Sequence, residues 1–216
     1  MVQISESRVR DRRREILRAA SHVFRVRGFH AAGMRDIANE LGIAVGKLYY
    51  WFENKQELLA FCQEDCLTAL LRMANRTRAL NVADSTRLWH LVVGHLRCLN
   101  EWTPGSLAHL EVESLVEPHR KRIQALRDQY EDRVRAVVSD GVRSGDFRPE
   151  VDAKVASLCV LGATNWSVKW FRSGGALPLN KIGDAFADQL VRGLVVDPQT
   201  WSPPTDDPFS GDDSDD

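Results

Sequence analysis

Residues 16–59, ILRAASHVFRVRGFHAAGMRDIANELGIAVGKLYYWFENKQELL, decide the fold. Ile16, Ala19, Ala20, Val23 and Phe24 recur at helical spacing, and Gly28 follows where a left-handed residue stops a helix. This predicts a first helix over residues 12–27. Met34, Ile37, Ala38 and Leu41 repeat the stripe, and Gly42 ends it two residues before another helical segment opens at Ala44. Two short helices therefore meet at a tight corner. In the second of them Val45, Leu48 and Phe52 share one face, and Gly46, Lys47, Tyr50 and Trp51 the other, with Tyr49 at the boundary. Asn54 and Glu57 then read as a capping box, which opens a long helix through Leu58, Cys62, Leu67 and Leu70 to about residue 80.

Outward from that stretch the helical pattern continues. Asp84 or Ser85 suits the cap of a helix carrying Leu88, Leu91, Val92, Leu96 and Leu99, broken by Thr103, Pro104 and Gly105. A short helix is expected over residues 106–115. Pro118 then starts a long amphipathic one with Ile123, Leu126, Tyr130, Val134 and Val138 on its stripe, stopped by Gly145. Asp152 suits the cap of a helix reaching about residue 172, and Asn180 the cap of a last one with Ile182, Phe186 and Leu190. The helix after Asp152 is apolar on much of its circumference, so it needs two neighbours, its own domain and the same helix of a second subunit. Gly162 and Ala163 allow close approach there, and Phe186 and Leu190 would fill the seam of a homodimer. The expected fold is all-α, with about nine helices and no convincing strand. Its parts are an arm and helix-turn-helix domain over residues 1–56, a helical domain over 57–196, and an acidic tail without fixed structure from 197 onward, rich in Pro, Asp, Ser and Gly.

At 216 residues the chain buries a sizeable core without staples, and the scattered Cys62, Cys66, Cys98 and Cys159 suit a reduced, cytoplasmic protein. No apolar run approaches the roughly 20 residues of a membrane span. The formal net charge of -1 hides an uneven distribution. Nine arginines between Arg8 and Arg35 face only Asp11 and Glu15 in the same stretch, whereas the last residues, from Asp206 to Asp216, carry only acids. A basic head is the electrostatic footprint of a nucleic-acid partner.

The set Glu15-Ile-Leu-Arg-Ala-Ala20, Phe24, Gly28-Phe29, Arg35-Asp-Ile-Ala38, Leu41-Gly-Ile43, Gly46, Leu48-Tyr49, Phe52, Lys55 and Glu57-Leu58 resembles the DNA-binding domain of the TetR family of bacterial repressors. The resemblance implies a nine-helix, two-domain homodimer that binds double-stranded operator DNA and is released by a small ligand. Carried over by position, the DNA contacts fall on Arg35, Gly46, Lys47, Tyr49, Tyr50, Trp51 and Lys55. Lys47 and Tyr50 point outward and suit base edges, since an ammonium donates to guanine O6 or N7. Tyr49, Trp51 and Lys55 suit phosphates, Lys55 with the help of the free amides of its own helix start. The sequence departs from the family at Ala32, Gly33 and Ala44, where hydroxyls that hold phosphate or cap helices are missing.

Gly162, Asn165-Trp166, Trp170-Phe171-Arg172 and Gly174-Gly175 resemble a segment of TetR-type regulators of fatty-acid and steroid catabolism, several of which answer to acyl-CoA thioesters. Trp166 and Trp170 equally suit a core or a subunit interface. Trp89, His95, Trp102, His109, Glu113, Asn165 and Trp166 are the candidate lining of an apolar pocket with a few polar groups. Cys62 and Cys66, one helical turn apart, read as small core residues. His90, His95 and His109 lack the spacing and carboxylates of a zinc site. No nucleophile with its base, no phosphate loop and no cofactor motif appears, so an enzyme is disfavoured. The alternatives are a TetR-like ligand or partner protein with reduced DNA binding, motivated by the lost hydroxyls, and an enzyme with a helical pocket.

Overall fold

The computed structural model describes residues 6–103 and 106–209. The first five residues of the expected arm, the Pro104-Gly105 break and residues 210–216 of the expected tail lie outside them. The described residues form helices joined by short connections, with one isolated antiparallel bridge between Phe147 and Val195. In order the α-helices are α1 (Glu6–Arg27), α2 (Met34–Glu40), α3 (Val45–Tyr49), α4 (Lys55–Ala79), α5 (Asp84–Arg97), α6 (His119–Ser144), α7 (Ala153–Asn165), α8 (Ser167–Trp170) and α9 (Leu179–Arg192). None is long and apolar enough to cross a membrane. The chain divides into two compact units, residues 1–66 with 103–124, and residues 67–102 with 125–216.

In the first unit α1 starts at Glu6, so Arg8 to Arg14 belong to its first turns and not to an extended arm. The helix buries Ile16, Leu17, Ala20 and Phe24, and the Phe24 ring meets Phe29 edge-on at 5.3 Å. Gly42 makes the corner between α2 and α3: its φ of 64° is the left-handed conformation that a side chain resists. That turn lets the Ile43 amide reach back to the Ala38 carbonyl at 3.0 Å, closing the end of α2. Leu48 and Phe52 are buried beneath α3 as the stripe requires. At the start of α4 the Glu57 amide donates to Asn54 Oδ1, while the Glu57 carboxylate accepts from the Glu53 amide, one residue before the cap expected of it. The short helix expected over residues 106–115 is a tighter 3-10 turn, Ser106–Leu110, followed by irregular chain.

In the second unit α5 is the central element, because it is buried around its circumference. Nine consecutive residues, Leu88 to Leu96, are all buried. It lies along α9, where Gly183 brings the α9 backbone against Val93. Its N-cap is Ala83, not Asp84 or Ser85. The free Ser85 amide is satisfied from a distance instead, by Asp146 Oδ2 at 2.6 Å, and Asp84 pairs with Arg87 and Ser144. Beyond Arg97 the helix widens into a π-turn, Cys98–Trp102. Asp152 caps α7 by accepting from the Lys154 and Val155 amides. The helix expected to reach residue 172 breaks at Trp166 into α7 and α8, and Pro178 caps α9 where Asn180 was expected.

The tail departs most from its composition. Residues 197–209 lie back on α5: Trp201 packs on Trp89 at 5.6 Å, Asp207 pairs with Arg97 at 2.7 Å, and Phe209 is buried against Trp102. Two aromatic side chains and one ion pair outweigh the Pro and Asp content that suggested disorder.

One close packing sets a clear limit on sequence. Gly141 on α6 faces the fully buried ring of Phe147 so closely that a Cβ would overlap it. Gly141→Ala is expected to lower stability by roughly 1–3 kcal/mol through overpacking, measured as the shift in urea midpoint. An unchanged midpoint would mean that the ring moves aside without cost.

Candidate nucleic-acid interface and ligand-binding unit

The exposed face of α3 carries what the sequence placed there. Gly46, Lys47, Tyr49 and Tyr50 are exposed, Trp51 is half-buried, and the Tyr50 and Trp51 rings meet edge-on at 5.8 Å. Tyr50 is 81% exposed, unusual for an aromatic side chain with buried Leu48 two positions away. The space beside Gly46 is open, so backbone is accessible there. Arg35 is exposed on α2. The missing hydroxyl at Gly33 is compensated: Asp36 accepts from the Gly33 amide at 2.8 Å, and Arg27 holds the other carboxylate oxygen at 2.8 Å. Ala44 caps α3 without any side-chain bond.

Lys55 does not do what its position suggested. Its ammonium donates to the carbonyls of Phe29, His30 and Ala32 at 2.8, 3.2 and 2.9 Å, and lies 4.4 Å from the centre of the Phe29 ring. An ammonium has three N–H donors, and all three are used inside the protein. Lys55 is a clamp on the turn between α1 and α2, and this arrangement leaves no donor over for the phosphate role expected of it. Sequence reasoning missed this because the partners are backbone atoms 23 to 26 residues upstream. In the same unit Gln56 ties α4 to the irregular segment after the 3-10 turn, donating to the Ser114 carbonyl and accepting from the Val116 amide.

The second unit holds a polar chain inside an apolar interior. The His95 ring is fully buried between Tyr130 and Asn165. In the neutral ring Nε2–H donates to Asn165 Oδ1 at 3.1 Å, and Nδ1 accepts from the Tyr130 hydroxyl at 2.8 Å. Burial lowers the His95 pKa to about 4, against a smaller upward pull from Asn165. A second link joins the π-turn to α8, where Asn100 donates to the Leu96 carbonyl and to Ser167 Oγ. His95 and Asn165 are thus brought together, and Tyr130 joins them; it was read only as part of an apolar stripe, which hides a hydroxyl. Trp89 and Trp102 pack under the tail, and Trp166 is 60% exposed. His109 and Glu113 belong to the first unit, His109 buried and Glu113 exposed.

Val155, Leu158, Cys159 and Gly162 of α7 and Trp166 at its C-cap are exposed and fall on one face, a bare apolar stripe. Ala163, Phe186 and Leu190 are half-buried, and the Phe186 ring lies 6.0 Å from Trp170. Cys62 and Cys66 are fully buried. Burial pushes the Cys62 thiol well above its ordinary range, with Asp65 adding to the effect, as in a packing residue and not a reactive thiolate.

Similarity to known proteins agrees with this geometry. Residues 16–61 match the family model of bacterial regulatory proteins, tetR family, and residues 82–194 match the model of the tetracyclin repressor-like C-terminal domain. The HTH-type transcriptional repressor KstR2 of Mycobacterium tuberculosis is 27% identical over 194 residues, covering 87% of this chain and 94% of that one. The TetR family regulator PfmR from Thermus thermophilus is 30% identical, with a TM-score of 0.75 over 82% of this chain and 97% of that one. AibR, solved in complex with isovaleryl coenzyme A and operator DNA, shares the fold at 24% identity, with a TM-score of 0.74 over 83% of this chain and 98% of that one. KstR2 and PfmR are named as transcriptional regulators, in agreement with the reading of the chain as a regulator and not an enzyme.

Two expectations follow from the geometry. Lys55→Met, which keeps the stem and removes the charge, should destabilise the protein by roughly 1–3 kcal/mol, read from denaturant unfolding. Unchanged stability with a shallower salt dependence of DNA binding would return Lys55 to the phosphates. His95 is held neutral when folded and charges freely when unfolded. Its contribution is therefore complete above the ordinary pKa of 6.5 and is lost as pH falls toward about 4. The loss amounts to about 1.4 kcal/mol per pH unit within that window. Subtracting the stability profile of His95→Gln from that of the natural chain isolates it, and a flat difference between pH 6.5 and 4 would contradict it.

Proposed function

The chain belongs to the TetR family of bacterial regulatory proteins, and on that premise we propose that it is a cytoplasmic transcriptional repressor that binds operator DNA as a homodimer. A mostly apolar effector with a polar end, of the acyl-CoA class, releases it. The observation that carries this reading is the α3 face, where Lys47, Tyr49 and Tyr50 are exposed beyond the corner that Gly42 permits, in a unit whose α1–α2 turn is clamped by Lys55. A helix of five residues supported in this way is a means of presenting side chains to a major groove. Lys47 and Tyr50 read base edges. Tyr49, Trp51 and Arg35 position the phosphates, and Gly46 lets backbone approach the DNA.

The bare stripe on α7 supports the homodimer, since a monomer seldom exposes Val155, Leu158 and Trp166 on one helix face. Gly162, Ala163, Phe186 and Leu190 complete the seam. The effector enters the second unit, where the His95–Tyr130–Asn165 chain supplies neutral hydrogen-bonding groups in an apolar surround. AibR was captured with an acyl-CoA and operator DNA. That pairing, with the Asn165-Trp166 segment, favours the same chemical class here. The effector acts only if it binds the released conformation more tightly than the DNA-bound one. α4 is the transmitting element on this reading, since one continuous helix holds Lys55 at its start and Met73 near its end.

The test is fluorescence polarisation on promoter DNA from beside the protein's own gene. Lys47→Ala should relax preference at one position of each half-site, and loss that is uniform over all sequences would make Lys47 a phosphate contact only. Leu158→Glu should convert a dimer to a monomer in sedimentation and abolish operator binding, whereas a dimer that persists would move the seam elsewhere. An acyl-CoA should weaken the operator complex about 5- to 150-fold. Release by planar aromatic cations alone would replace the acyl-CoA reading with that of a multidrug sensor.

A further inference from the structure

The tail lies in a place built for something else. His90, Gly94 and Arg97 are spaced four and three residues apart on one face of α5, and residues 203–209 run along it. Gly94 is the floor of a slot. With no Cβ it lets both the Met73 thioether of α4 and the Phe209 ring come close, at 2.8 and 2.9 Å from where a Cβ would stand. Trp102 closes the slot, with its ring centre 5.6 Å from that of Phe209. The ring is 5% exposed, which is the burial of a core residue in a segment made mostly of Pro and Asp.

Beside the slot a cleft of about 290 Å³ lies between this stretch of tail and the α5 face. Two groups of opposite need open onto it. Arg97 is held by Asp207 at 2.7 Å. His90 is 2% exposed, and its Nε2 has no hydrogen-bond partner, with the nearest Asp206 oxygen at 3.8 Å. A buried ring nitrogen without a partner is costly and calls for a polar group that the tail does not supply. The tail thus satisfies the guanidinium and the apolar slot, and leaves the imidazole unmet.

We propose that residues 206–209 are a tethered stand-in for a ligand, occupying a site for an amphipathic anion whose apolar group takes the place of the Phe209 ring and whose anionic group takes Arg97. A donor or acceptor on that ligand meets His90. The tether is set by Trp201, which lies on Trp89 and under the Arg192 guanidinium, so residues 206–209 can lift away while the chain before them stays docked. The tail is then a built-in competitor that sets the ligand concentration at which the protein responds. This deepens the effector reading and rests on it for the ligand's class, but its tests need no DNA, so the two fail separately.

The probe is anilinonaphthalenesulfonate, an apolar ring system with one anionic group. A tail open about one time in ten weakens a competitor about tenfold, so Phe209→Ala and a chain ending at Thr205 should each bind the probe about tenfold more tightly. Arg97→Ala in the shortened chain should remove that gain. Equal affinity with and without the tail would overturn the proposal. Because a shortened chain can bind such a probe by loosening, the intact protein is tested as well. With para-fluorophenylalanine in place of Phe209, saturating probe should move the fluorine resonance to its solvent-exposed position. Probe binding that leaves the resonance in place, or no binding by any version of the chain, would also overturn it.

Discussion

Three backbone carbonyls, of Phe29, His30 and Ala32, converge on the ammonium of Lys55. The turn they belong to lies between α1 and α2, and its groups have no helix to satisfy them, so one charged side chain at the first residue of α4 replaces what secondary structure supplies elsewhere. The position of α2 depends on it, and through the Gly42 corner so does the direction in which α3 presents Lys47, Tyr49 and Tyr50. Asp36 braces the same turn from the other side, with the Gly33 amide and Arg27 as partners. The hydroxyls absent at Ala32 and Gly33 are therefore not a loss of order. Asp36 supplies the cap that Gly33 lacks, and Lys55 holds the carbonyl of Ala32.

The second unit solves a different problem. A central helix buried on all sides leaves no room for an unpaired polar group, yet α5 carries two histidines. His95 is reconciled with its surroundings by Tyr130 and Asn165, one from α6 and one from the end of α7, which fix both ring nitrogens. His90 is not reconciled in this way. Of two buried imidazoles a turn and a half apart, one is part of a closed network and one faces a cleft.

What the sequence made legible was local. The stripes of α1 and α2, the stop at Gly28, the corner at Gly42 and the Asp152 cap each depend on residues within a turn or two of one another, and each is present in the structure. The exposed face of α3 was legible for the same reason. Three features were hidden because they depend on distant partners. Lys55 reaches back 23 to 26 residues, Asp146 caps α5 across 61 positions, and Tyr130 finds His95 across 35. The tail was misread because composition averages over a segment, while Trp201 and Phe209 act singly, each filling a space that α5 leaves open. The break at Trp166 had no local signal, since neither proline nor glycine marks it.

In the proposed function, a two-fold dimer presents two copies of the α3 face to one stretch of double-stranded DNA. Hydroxyl-radical footprinting on promoter DNA from beside the gene tests it most directly. Two protected half-sites related by a two-fold axis are expected, with centres about one helical turn, roughly 10 to 10.5 base pairs, or a multiple of it apart. Protection that has no two-fold relation, or that spreads evenly along any DNA of equal length, would contradict it.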